Sequence, residues 1–446
     1  MSYILILSIY LVSGGGTVLF EYYTMVKVQF VFCLLLIPFT VCKPISKRMQ
    51  YELNTSVMRL QDYIRIDTSN PENYDLVVQF WKQQAAEIGL PISVYRPGRY
   101  PVCIITWQGS CPELPSIMLN SHSDVVTAEE VYWSHPPFSG EIDENGDLFG
   151  RGTQDTKSLS IQHLEAIRNL INNKVTLERT IHISIIPDEE RGGSEGMKPF
   201  LKSQYFKRLN VGFALDEGLT SPTNTMFATY QDKRPWQLNM TFYGQGGHGS
   251  SIQTSTAVEK LQLLLDQVIH FRREQSQIMS SSKAYDFGSF STINMNIIQT
   301  GIATNVIPNK VNAVIDMRLA VNANISDIQS MVDEWQSLTG PHTELEYLRR
   351  EDESMATSID DSNPYWIAMQ KAAEEMDIDI QPVVCFATSD MLYLRNLGIP
   401  AIGFAPRRNM VSRIHDIDEY ISLDGFLNGI EIFEGIIKRI GNVTAV

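Results

Sequence analysis

The chain has 446 residues, of which 43% are apolar and 20% charged, enough material for a large core and for two domains. The formal net charge is −15 and no long basic run occurs, which argues against a nucleic-acid or anionic-membrane partner.

The first segment, 1–42, is strongly apolar. Within it Met25-Val26-Lys27 precedes the apolar run Phe30–Phe39 and then Thr40-Val41-Cys42, the pattern of a secretory signal peptide starting at Met25. The apolar stretch is shorter than the ~20 residues that span a bilayer, so the expectation is a secreted protein without a stable membrane span. If the segment is not used, a cytoplasmic location follows. In an exported chain Cys103 and Cys111, which flank a Gly-containing turn, could pair, leaving Cys385 free and buried. No Cys-x-x-Cys occurs, so a thiolate zinc site is not indicated.

From about residue 50 to 225, strand-like runs (116–120, 180–186, 211–215) alternate with helical stretches. One is 156–172, with Leu159, His163, Ala166, Ile167 and Leu170 on one face. This alternation predicts an α/β layer around a mostly parallel sheet. From 231 to 342 the order becomes strand, helix, strand, strand, helix, which predicts an inserted, smaller α+β domain. The α/β rhythm then resumes and ends in a helix with Phe426, Ile430, Phe433, Ile437 and Ile440 at a 4-3-4-3 spacing. The larger domain is therefore expected to be discontinuous, 43–230 with 343–446.

Five polar clusters lie along the chain, most of them where an apolar run stops: 121–124, 150–155, 187–190, 215–218 and 414–416. Ligands gather at the carboxyl ends of parallel strands. Two histidines with several carboxylates suit a paired divalent-metal site and hydrolysis. His122 is a candidate ligand and Asp124 can hold its tautomer, although a loop histidine beside an acid gives the same His-x-Asp. Asp155 follows two glycines and can serve as ligand, as N-cap of the next helix, or as both. Adjacent side chains diverge, which divides Glu190 as ligand from Glu189 as general base; a solvated acidic turn is the alternative. Glu217 has the same strand-end context. His248, in Gly246-Gly247-His248-Gly249, is an exposed imidazole on a glycine-rich turn, while His135, His163, His182, His270 and His342 read as structural.

The order and spacing of these clusters, with Leu119–Val126, Trp133-Ser134-His135, Phe213–Gly218 and His415–Glu419, resembles the co-catalytic zinc aminoacylase and carboxypeptidase family, and within it the N-acyl-L-amino-acid amidohydrolases. The resemblance implies a zinc-peptidase-like catalytic domain with an inserted lid and dimerisation domain. It implies two zinc ions per subunit, one on His122 and Glu217, the other on Glu190 and His415, with Asp155 bridging. Asp124 would orient His122, and Glu189 would move a proton from the attacking water to the leaving amine. His248 would act in the partner subunit's site, which implies a homodimer. Asn305, Arg318, Ser389 and Arg395 fall at substrate-site or lid positions, with a structural ion pair as the alternative for either arginine. The implied substrate is a short-chain N-acyl-L-amino acid; dipeptides and long-chain acyl amino acids share the same metal chemistry. Thr127, the single Gly301 and Ser389 depart from the family pattern, and none of them is a ligand.

Overall fold

The computed structural model describes residues 47–444. The segment carrying the signal-peptide reading lies outside the described residues. No helix among the described residues is long and apolar enough to cross a membrane.

Two sheets organise the chain. The larger contains β1 (Ile92–Tyr95), β2 (Val102–Trp107), β3 (Ser116–His122), β4 (Ile181–Ile186), β5 (Val211–Asp216) and β6 (Met226–Asp232). The smaller contains β7 (Arg234–Tyr243), β8 (Thr292–Thr300), β9 (Lys310–Leu319) and β10 (Thr343–Arg350), after which β11 (Ile380–Cys385) and β12 (Ala401–Phe404) return to the larger. The larger sheet runs β1-β2-β4-β3-β5-β12-β6-β11. Its centre, β4-β3-β5-β12, is parallel, and antiparallel pairs lie outside that block. β3 and β4 are buried along their whole length, as expected for parallel strands covered on both faces.

Helix α5 (Leu423–Ile440) packs against helix α1 (Lys157–Asn172) and helix α4 (Pro364–Glu375), and all three belong to the main core. The predicted periodic residues of α5, Phe426, Ile430, Phe433, Ile437 and Ile440, are all buried. In α1 the expected single buried face is too narrow. Residues from Lys157 to Ile167 are buried on every side, because the helix lies between the sheet, α5 and the helix Thr55–Ile64.

The smaller sheet is antiparallel in the order β8-β9-β7-β10. Trp236, Leu238, Met240 and Phe242 alternate inward along β7 and share a separate core with helix α2 (Ala257–Ser281) and helix α3 (Ile325–Leu338). A capping box between Thr256 and Glu259 starts α2. The sheet ends with β10, so it extends to Arg350, further than the expected span of 231–342. β10 alternates half-buried with exposed residues, and this weak apolar signal hid it in the sequence.

The cysteine expectation is also corrected. Cys103, Cys111 and Cys385 are all free, and Cys385 is buried as expected. Cys103 pairs with Ile185, whereas the Cys111 N–H donates to the Glu178 carbonyl. At ~3.3 Å per extended residue, these anchors lie roughly 20 Å apart, far outside disulfide reach.

Candidate metal centre and active-site cavity

The parallel centre of the larger sheet delivers its strand ends to one edge. His122 ends β3, Glu189 and Glu190 follow β4 in a short 3-10 turn, and Glu217 follows β5. Asp155 arrives from the turn before α1, and His415 from the loop before α5.

Asp155 stands between the two imidazoles. Its Oδ1 is 2.9 Å from His122 Nε2 and its Oδ2 is 3.1 Å from His415 Nε2. Glu217 lies 3.6 Å from His122 Nε2, and Glu190 lies 3.0 Å from His415 Nε2. Ligand atoms sharing a tetrahedral zinc at ~2.0–2.1 Å are themselves about 3.3 Å apart, which is the spacing found here. The triads His122–Asp155–Glu190 and His122–Glu189–Glu217 each bring their donor atoms within 4.8 Å of one another. The residues present therefore fit a divalent metal ion held by imidazole and carboxylate donors.

Electrostatics support the same fit. Burial alone would lower the pKa of His122, but Asp155 and Glu217 outweigh it and hold the ring well above its ordinary value. At His415 burial is likewise outweighed by Asp155 and Glu190, and the pKa rises to about 10. Burial and then neighbouring carboxylates raise Glu189 and Glu217 well above the usual range. Crowded carboxylates that hold protons on imidazoles form a site short of positive charge, which divalent cations would supply.

Asp124 acts differently from the expectation. The Nδ1–H of His122 donates to the Asp124 backbone carbonyl at 2.8 Å, whereas the carboxylate is 3.7 Å away. A carbonyl can only accept, so Nδ1 carries a proton and Nε2 is the nitrogen that faces Asp155 and Glu217. The Asp124 carboxylate instead accepts the N–H groups of Glu189 and Glu190, both at 3.2 Å. Asp124 thus positions the turn that carries Glu189 and Glu190.

Glu419, unassigned from sequence, performs a similar task on the other side. It is fully buried, pairs with Arg151 at 2.8 Å, and accepts the N–H groups of Gly152, Gln154 and Asp155. Its only sequence signal was its place in the His415–Glu419 run.

The carboxylates open onto a cavity of about 350 Å³, also lined by Leu219, Arg318, Arg349, Phe386 and Ser389. Arg318 is held by Asp316 at 3.1 Å and donates to Thr388 Oγ1 at 3.1 Å. Arg395 does not reach this cavity. It is buried, pairs with Asp232 at 3.1 Å and donates to the carbonyls of Ala401 and Thr229, so the ion-pair alternative holds. Arg349, on β10, takes the place at the cavity. Its Nη2 donates to Tyr393 Oη at 2.9 Å, and its buried Nε has no partner. The weak apolar signal that hides β10 in the sequence hides Arg349 with it.

His248 and Asn305 lie apart from the metal cavity within one chain. Gly247–His248 forms a two-residue ribbon with Val306–Ile307, and the Gly249 N–H donates to the Asn305 carbonyl. The His248 ring is exposed, with Nδ1 at 2.7 Å from Ser250 Oγ.

Comparisons with known proteins agree with this architecture. The model of peptidase family M20/M25/M40 matches residues 118–439. Aminoacylase-1 of Sus scrofa is 36% identical over 394 residues, covering 88% of this chain and 96% of that protein. Aminoacylase-1 of Homo sapiens is 35% identical over 398 residues, covering 89% and 97% respectively. Among solved structures, the M20 family metallo-carboxypeptidase Sso-CP2 from Sulfolobus solfataricus aligns with a TM-score of 0.71 at 17% identity, covering 87% of this chain and 100% of that one. Human carnosine dipeptidase 1 aligns with a TM-score of 0.69 at 14% identity, covering 86% of this chain and 96% of that one. The matched span runs from within β3 to within α5 and includes every candidate ligand, and the chain belongs to the M20/M25/M40 peptidase family.

Proposed function

We propose that the chain is a zinc-dependent amidohydrolase that cleaves N-acyl-L-amino acids with short acyl groups into a carboxylate and a free L-amino acid. The observation that carries this reading is Asp155 set between His122 and His415, flanked by Glu217 and Glu190, with Glu189 at the cavity wall. Similarity to aminoacylase-1 over most of both chains supports the substrate class.

Two zinc ions, one held by His122, Asp155 and Glu217 and one by His415, Asp155 and Glu190, would supply Lewis acidity and a more acidic attacking water. Glu189 takes the proton of that water and returns it to the departing amine, so the amine leaves neutral. Its buried position keeps bulk water from competing for the proton. Arg349 and Arg318 receive the free carboxylate of the substrate, which a guanidinium fork matches. Leu219 and Phe386 give the cavity its apolar wall.

The smaller sheet serves as lid and dimerisation domain in this proposal. β8 is an edge strand with exposed Ile297 and Ile298, a surface suited to a second copy of the chain. In such a homodimer His248 of the partner subunit steadies the oxyanion, a role supported by its exposure and its distance from its own cavity. The N-terminal pattern supports export of the chain.

The test is amine release from N-acetyl-L-methionine by the purified protein, before chelation, after it, and after zinc is restored. Hydrolysis that stops and returns with zinc supports the reading. No hydrolysis by a folded, zinc-loaded dimer would overturn the substrate class and turn attention to dipeptides and long-chain acyl amino acids.

A further inference from the structure

The turn that carries Glu189 and Glu190 is anchored at both ends. At its start, the Asp124 carboxylate accepts the N–H groups of Glu189 and Glu190. At its far end, the Tyr393 hydroxyl donates to the Gly192 carbonyl at 3.0 Å. Tyr393 comes from the short helix Met391–Asn396 and is buried. Its hydroxyl also accepts the Nη2–H of Arg349 at 2.9 Å. A guanidinium can only donate and a carbonyl can only accept, so the chain runs in one direction, from Arg349 through Tyr393 to Gly192. Hydrogen bonds in such a chain polarise and strengthen one another.

Three features hold this chain in place. Gly192 has a φ of +86°, and a Cβ there would stand 3.2 Å from Arg349 Cζ and Nε. A glycine therefore fits the left-handed turn and lets the guanidinium lie against it. The Lys198 ammonium lies 4.8 Å from the centre of the Tyr393 ring and pairs at 2.7 Å with Glu351, the residue after β10. Burial, the largest cause, raises the pKa of the phenol, which keeps it a donor. Among the described residues, the bond to Tyr393 is the one hydrogen bond of the Arg349 side chain. Arg349 comes from the smaller sheet and Glu189 from the end of a strand of the larger, and Tyr393 bonds to both the guanidinium and the turn.

We propose that Tyr393 is a positioning residue. Its hydroxyl aims the Arg349 guanidinium into the metal cavity and ties it to the turn that carries Glu189, so that capture of the substrate's carboxylate and placement of the base depend on one group. The inference rests on the activity proposed above and adds a residue to it.

The experiment is steady-state kinetics of the zinc-loaded full chain with N-acetyl-L-methionine, for the unaltered protein, Tyr393→Phe, Arg349→Met and the double variant. Zinc content and unfolding midpoint are measured for each. Tyr393→Phe keeps the ring and removes both hydrogen bonds. Its KM should rise about tenfold, the loss expected of one hydrogen bond to a charged group, and its kcat should fall as well, with zinc content unchanged. In the double variant KM should equal that of Arg349→Met alone, because the hydroxyl then has no guanidinium to aim. An unchanged KM or kcat in Tyr393→Phe, or a further rise of KM in the double variant, overturns the proposal and leaves the hydroxyl a structural bond. If the unaltered protein does not hydrolyse N-acetyl-L-methionine, the proposed activity fails instead, and the same comparison is made on a dipeptide, which also presents a free carboxylate.

Discussion

Asp155 offers one carboxylate oxygen to each imidazole, so removing it should disturb both halves of the site at once. Asp155→Ala is expected to reduce bound zinc at both positions, measured by metal analysis after desalting. Retention of one ion per chain would show that the two positions are separable. Glu189→Gln should keep its metal and lose about 10²–10⁴-fold in kcat, the range of a general acid–base group; near-normal kcat would remove Glu189 as the base. The arginines separate by their surroundings. Arg349→Met should raise KM for an N-acyl amino acid about tenfold or more while the fold stays intact. Arg395→Met strands Asp232 in the interior and should cost about 3–5 kcal/mol in denaturant unfolding. A normal unfolding midpoint for Arg395→Met, or an unchanged KM for Arg349→Met, would undo this division of roles.

At the scale of elements, α1 carries a buried imidazole that takes no part in the site. His163 packs edge-on against Phe433, neither nitrogen has a partner, and burial lowers its pKa from 6.5 to about 3. The unfolded chain therefore takes up this proton as the pH falls through about 6.5, while the folded chain resists until about 3. The neutral ring is compatible with folding above that window, and stability falls within it by about 1.4 kcal/mol per pH unit. His163→Leu, close in volume, should flatten the acid limb of the stability curve between pH 6 and 4. An unchanged slope would place the acid sensitivity elsewhere. On the smaller sheet, Ile298→Lys puts a charge on the exposed edge strand and should shift a dimer to monomer by sedimentation, with turnover falling in step if His248 acts across the interface. Full turnover from that monomer would rule out the role in trans.

For the whole molecule, the candidate ligands and base are dispersed in sequence and gathered by topology. β3, β4 and β5 are neighbours and parallel, so their ends deliver His122, Glu189, Glu190 and Glu217 to one edge of the sheet. The returning loop before α5 adds His415. Much of this is legible in the sequence, because an apolar run that stops at a short polar cluster marks a buried strand and the loop at its carboxyl end. Apolar period and capping residues act over a few positions, and so the sequence by itself determined most elements, the parallel core, the candidate ligands and the family. Partner choice is non-local, and only the tertiary structure decided it. Arg395 looks like any cavity arginine until Asp232 is found beside it, and Arg349 looks like a surface residue until β10 carries it to the cavity. Asp124 shows the same limit. Its spacing from His122 predicted a contact, but the turn after β4 claims its carboxylate and leaves the backbone carbonyl to hold the ring. A side chain's role depends on which distant group satisfies its charge, and local pattern carries no record of that.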